Sequence, residues 1–127
     1  REMKLTFQGV IYSKKNSKSI IKNRRTGKPM IVASKRAKDM EKNMASEFST
    51  QHGGSPAINR PSSVCMKLYR KDNIKRDLDN VATSVLDGLV RGEVIADDNY
   101  SIVKSLHIED CGVDKNNPRV EIEINPW

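Results

Sequence analysis

Apolar residues recur along this chain with two alternating periods. In MKLTFQGVIY, residues 3–12, Leu5 and Phe7 alternate with polar neighbours before the run Val10–Ile11–Tyr12. That predicts a strand, with a bulge where Gly9 breaks the alternation. Two short apolar runs, Ile20–Ile21 and Met30–Ile31–Val32, flank KNRRTGKP and predict a β-hairpin around a Thr-Gly turn. Over 34–51 the period changes: Ala37, Met40, Met44, Ala45 and Phe48 fall three or four residues apart. They mark the buried face of a helix with Ser34 as its N-cap, and the methionines on it are core packing. The Gly-, Pro- and Ser-rich stretch 52–63 is a loop with a short extended piece at Ala57–Ile58.

Val64, Met66 and Leu68 then alternate through a strand at 64–70, followed by a basic connector at 71–76. Leu78, Val81, Ala82, Val85, Leu86 and Leu89 make one face of a second helix over 78–94, capped by Asp77 or Asp79 and ended by Gly92. A turn at 95–101 leads to a strand at 102–108, a loop at 109–118 and a closing strand at 119–124. The order predicts an α+β domain, a small mixed β-sheet with two main α-helices packed on it. A length of 127 residues fits one domain over 1–127.

Composition sharpens this picture. With 36% hydrophobic and 31% charged residues the chain is polar, yet its ordered apolar runs argue for a folded core. No run of about 18 apolar residues is present to span a membrane, and no apolar signal-peptide core stands near the start. Met3 reads as the natural start, with Arg1 and Glu2 carried over from an expression vector. Cys65 and Cys111 form no CxxC pair and His52 and His107 have no ligand spacing, so reduced thiols, no zinc site and a cytoplasmic location are expected. The charge is strongly asymmetric. Residues 1–76 hold 19 Lys/Arg against 5 Asp/Glu, whereas residues 77–127 hold 4 against 11. A basic half of this strength attracts polyanions, nucleic acid above all, although a merely solvated surface would have the same composition.

The acidic half contains two tight pairs, Asp77/Asp79 and Asp97/Asp98, one helix apart. Converging carboxylates repel each other and call for a cation; hard oxygen donors suit Mg²⁺, with Mn²⁺ able to substitute. Such an ion activates water and stabilises charge developing on a phosphodiester. Lys75 and Arg76, just upstream, would hold the adjoining phosphate backbone. The same aspartates also suit a helix N-cap and an ordinary turn, and that alternative stands at this level.

The stretch RDLDNVATSVLDGLVRGEVIADDNYSI, residues 76–102, resembles the central signature of the RusA-type Holliday-junction endonucleases. That signature is an Asp-Leu-Asp-Asn entry to a helix, an Asp-x-Leu near its end, and an Asp-Asp pair before a strand. IYSKKNSK (11–18) and VASKR (32–36) resemble segments of phage- and prophage-type members, so the likeness covers most of the chain. It implies a homodimer of small α+β subunits, each with a Mg²⁺-binding acidic site that cuts one strand of a four-way DNA junction. Paired symmetric cuts follow from the two-fold axis. Residue by residue, the essential carboxylates fall on Asp77, Asp79 and Asp98. Asp97 is a further candidate ligand, Asn80 an orienting neighbour, and Asp87 a supporting or structural helix aspartate.

One departure stands out. Some members carry a catalytic lysine four residues after the second aspartate; here that position is Thr83, which cannot place a positive charge on the scissile phosphate. A substitute would come from Lys75, Arg76, Lys67 or Lys104, or the metal would carry more of the catalysis, with slow cleavage as the result. The basic loop 13–28, with Lys14, Lys15, Lys18, Arg24, Arg25 and Lys28, is the expected grip on branched DNA. The alternatives are a nuclease acting more broadly on forks and flaps, and a DNA-binding module without catalysis.

Overall fold

The computed structural model describes residues 2–12 and 18–127. In chain order the elements are β1 (Met3–Gln8), β2 (Lys18–Lys22), β3 (Pro29–Ala33), α1 (Lys35–His52), β4 (Ser62–Arg70), α2 (Leu78–Arg91), β5 (Val103–Val113) and β6 (Arg119–Pro126). β1, β6, β4 and β5 form a four-stranded sheet in that spatial order, and β2 pairs with β3 in a separate two-stranded ribbon. β6 is antiparallel to both β1 and β4, whereas β4 and β5 are parallel. A parallel pair needs a long crossover, and α2 supplies it. This is the expected α+β fold.

Alternation decides which sheet face is covered. Leu5 and Phe7 pair with Ile122 and Val120, which in turn face Met66 and Leu68, so one face is apolar across three strands. Met40, Met44 and Phe48 of α1 and Val81, Val85 and Leu89 of α2 close the core over it. The other face carries Lys4 opposite Glu123, and Lys67 between Glu121 and Glu109. Cross-strand pairs of opposite charge suit a face open to water, so no second layer is required there. The edge of β1 is blunted by α1: the Gln51 carboxamide accepts from the Thr6 N–H at 2.8 Å and donates to the Thr6 carbonyl at 2.7 Å. One side chain thus imitates a neighbouring strand on an otherwise open edge.

Several boundaries differ from expectation. β1 stops at Gln8, because Gly9 takes φ +130 and turns the chain out of the sheet instead of bulging it. Ile11 is then buried, and the Tyr12 ring packs 5.0 Å from the Arg36 guanidinium of α1. β5 runs on to Val113 through the segment expected to be a loop. Its polar residues Glu109 and Asp110 lie in register with Lys67 and Leu68, so pairing to β4 overrides their low strand propensity. The Ala57–Ile58 piece forms a parallel bridge from Ile58 to Ile95. Ser34 does cap α1, its hydroxyl accepting from the Ala37 N–H at 3.2 Å.

Gly92 ends α2, but with φ −78, so its lack of a side chain matters for packing and not for a left-handed turn. A Cβ there would lie 2.8 Å from the Ala45 carbonyl oxygen of α1. At Gly88 a Cβ would meet Met44 Sδ at 2.6 Å, but the Met44 thioether can swing aside. We expect Gly92→Ala to destabilise by about 1–3 kcal/mol, as overpacking does, and Gly88→Ala by less, with urea unfolding midpoints as the measurement.

Candidate active site

The start of α2 presents two carboxylates without consuming them. Asp77 holds the N-cap position in extended geometry (φ −80, ψ 131), yet its side chain makes no capping hydrogen bond. Asp79 lies in the first turn, and both residues are exposed. Asn80, only 8% exposed, touches both: its N–H donates to Asp79 Oδ1 at 2.9 Å and its amide reaches Asp77 Oδ2 at 3.5 Å. The helix N-terminus, with its unpaired N–H groups and dipole, is where two adjacent negative charges cost least. Thr83 follows one turn later, exposed, with its hydroxyl donating to the Asp79 carbonyl at 2.9 Å.

Asp97 and Asp98 occupy the turn after the other end of α2, and the structure gives them different work. Asp97 accepts from the Asp98 N–H at 2.7 Å and from the Asn99 amide at 3.0 Å, which holds its carboxyl below the usual range. Asp98 is pushed up, first by partial burial, then by Asp97 beside it and by Asp87. It shares a small concavity with Asp87, Arg91 and Glu41, and Arg91 is ion-paired to Glu41. Asp79, Thr83 and Asp87 recur at four-residue spacing on one face of α2. Asp87 is eight residues beyond Asp79, about 12 Å along the axis. The single chain therefore presents Asp77/Asp79 and Asp98/Asp87 as two groups at the two ends of one helix face. Among the described residues no three His, Cys, Asp or Glu side chains gather closely enough to hold a metal ion. In kind, these carboxylate oxygens fit a hard divalent cation.

Between β4 and α2 lies a feature that sequence periodicity did not reveal. Arg70 at the end of β4 grips Asp110 of β5 through Nε at 2.8 Å and Nη2 at 3.4 Å. Its Nη1 donates to the Asp72 carbonyl at 2.7 Å and to Asn73 Oδ1 at 3.2 Å. Asp72 Oδ1 in turn accepts from the Ile74 N–H and from Arg76. This brace shapes residues 71–76 into the wall of a cavity of about 640 Å³, with Asp77 in its lining. Only the parallel pairing of β4 with β5 brings Arg70 to Asp110, forty positions away, so no local motif announces it.

The expected DNA contacts are distributed as follows. Lys75 is exposed, and Lys75 and Arg76 both line the cavity, Arg76 turned back on Asp72. The turn of the β2–β3 ribbon is tied by Asn23, whose Oδ1 accepts from the Arg25 and Thr26 N–H groups, and by Gly27 at φ +70. That leaves Arg24, Arg25 and Lys28 exposed. Lys14 and Lys15 lie outside the described residues, and Lys18 begins β2. Of the proposed replacements for a catalytic lysine, Lys67 projects with Cys65 from the sheet face opposite the helices, away from the cavity.

A family model described as Endodeoxyribonuclease RusA matches residues 12–125. The chain belongs to the RusA family. No curated protein matches it. The family is one of endodeoxyribonucleases acting on Holliday junctions, so the aspartates that the RusA signature singles out stand in a nuclease domain. Among the described residues no helix is long and apolar enough to cross a membrane.

The crowding of Asp98 has a thermodynamic sign. A carboxyl whose pKa is raised on folding destabilises the fold while ionised, and the penalty disappears as pH falls through the folded pKa. In EDTA, Asp98→Asn should stabilise the chain at neutral pH by a few tenths of a kcal/mol, a surface-scale effect. The gain should vanish at a pH low enough for the native carboxyl to take up its proton. Urea midpoints at both pH values check it.

Proposed function

We propose that this RusA-family endonuclease resolves four-way DNA junctions in a divalent-cation-dependent reaction, with Asp77, Asp79 and Asp98 as the essential carboxylates. The observation that carries the reading is the pair of exposed carboxylates at the start of α2, with Asp77 making no capping hydrogen bond and Asn80 touching both. Asp77 and Asp79 would hold the cation, Mg²⁺ or Mn²⁺. When bound, such an ion supplies Lewis-acid stabilisation of charge on the phosphoryl oxygens and makes water more acidic. The chain's own residues do the rest. Asn80 keeps the two carboxylates at a fixed separation, and Lys71 and Lys75 beside Asp77 offset the charge of the approaching phosphates. No lysine from α2 assists, because Thr83 occupies that place and its hydroxyl is turned to the Asp79 carbonyl.

Asp98 enters through a second chain. The length of α2 separates it from the Asp77/Asp79 pair of its own chain, and a two-fold homodimer is the arrangement that sets the turn of one subunit against the α2 start of the other. Two such sites account for paired, symmetric cuts. Asp87 keeps a supporting place beside Asp98.

With a labelled four-way junction, the chain should cut in Mg²⁺ and not in EDTA. Asp79→Asn should lose more than about 100-fold in single-turnover rate, beyond the loss from changing an outer partner of a metal ligand. Mixing Asp79→Asn with Asp98→Asn should restore nicking of one strand, since one of the two sites in the mixed dimer is intact. Absence of restored nicking would return Asp98 to its own subunit. Unreduced cutting by Asp79→Asn would remove the site altogether, and equal cutting of flaps and forks would broaden the substrate.

The basic ribbon is read as a phosphate grip. Arg24→Ala with Arg25→Ala should weaken junction binding and reduce the slope of log K against log salt by about 1.8, two phosphate contacts at 0.9 each. An unchanged slope in fluorescence anisotropy titrations would take the ribbon out of the interface.

A further inference from the structure

The cavity beside Asp77 has a lining that phosphate binding alone does not explain. Its floor is apolar: Ile11 and Val81 are 3% and 1% exposed, with Leu68 and Leu78 beside them. Its rim is cationic, through Lys71 and Lys75. At the lip stands Ile74, which is 61% exposed. An isoleucine in the middle of KDNIKR, held out in water, is costly apolar surface. Its backbone is held in place: the Asp72 carboxylate accepts from its N–H at 3.0 Å, and Arg70 donates to the Asp72 carbonyl and to the Asn73 side chain just before it.

We propose that this cavity receives a single unstacked nucleobase from the branch point of the DNA, with Ile74 as the wedge that takes its place in the stack. The inference rests on the junction-cutting reading and adds to it the means by which branched DNA is distinguished from continuous duplex. The chemistry favours a nucleotide over other occupants. An apolar slot with Lys71 and Lys75 on its rim matches a flat, uncharged ring that carries a phosphate on either side. Apolar side chains, isoleucine among them, wedge into base steps and unstack them. A continuous duplex keeps its bases stacked and would have to break that stacking to fill the cavity. A branch point has already lost part of that stacking. A base seated on Val81 and Leu78 brings its own phosphate to Asp77, since all three residues line the same cavity. Shape selection and cleavage position thereby become one event.

The test places 2-aminopurine at the branch-point nucleotide of a four-way junction and follows its fluorescence in EDTA on adding the protein. The wild-type chain should raise the signal several-fold. Ile74→Ser should lose most of that rise and about tenfold of the preference for junction over continuous duplex, and Ile74→Leu should retain both. The residue is exposed, so neither change threatens the fold. Duplex binding by Ile74→Ser should be unchanged, which a general loss of phosphate contacts would not allow. If wild type cuts the junction in Mg²⁺ while Ile74→Ser gives an equal fluorescence rise and equal preference, the wedge is wrong and the nuclease reading survives. No fluorescence rise with wild type overturns the wedge in the same way. If wild type neither binds nor cuts the junction, both readings fall together.

Discussion

Burial of one face of α2 against α1 and the sheet is the constraint on which the rest of this molecule depends. Val81, Val85 and Leu89 lie on that face and are almost fully buried. Gly88 and Gly92 let α1 approach so closely that even one added carbon meets an atom of the neighbouring helix. A helix seated this tightly cannot roll, so its two ends are fixed in space. The N-terminal end points Asp77 and Asp79 outward beside the close of β4, and the C-terminal end carries the turn with Asp97 and Asp98. Because β4 and β5 run parallel, both strands finish on the same side of the molecule, where Arg70 meets Asp110 and the cavity opens. Clefts at the carboxyl ends of parallel strands are common binding sites for the same reason: the connections diverge there and leave room.

Electrostatics divides the surface in a way that suits a nuclease. The aspartates at the start of α2 are placed where a helix tolerates negative charge, and Asn80 supports both without neutralising them. Asp98 has no such benefit. Its partial burial first, and then Asp97 and Asp87 beside it, raise its pKa and leave the free chain slightly less stable than it need be. Asp97, by contrast, is absorbed in building the turn. Basic residues stand both beside Asp77, at Lys71 and Lys75, and farther along the chain on the β2–β3 turn, where Arg24, Arg25 and Lys28 are exposed.

Much of this architecture was legible in the chain itself. The change of period from two to 3.6 located both helices and most strands, and the Ser34 cap and the Asn23–Gly27 turn arose from local chemistry alone. The RusA signature lay in a contiguous segment, so the family could be read off before any contact was known. The misjudged boundaries share one cause. Whether Gly9 bulges a strand or ends it, and whether Glu109–Val113 is loop or strand, depends on which strand is alongside, and that neighbour is distant in sequence. The Arg70–Asp110 brace and the exposure of Ile74 were hidden for the same reason.

Local order, then, was written residue by residue: periodicity chose the elements, and small polar side chains chose the caps and turns. Relative placement was not. That Asp77 stands at a cavity mouth with Asp79 exposed beside it, while Asp98 keeps company with Asp87 two helical turns away, follows from the parallel crossover and the close approach of the helices. Both arise from packing between segments far apart in the chain, and spacing along one strand or helix carries no information about what it will be packed against.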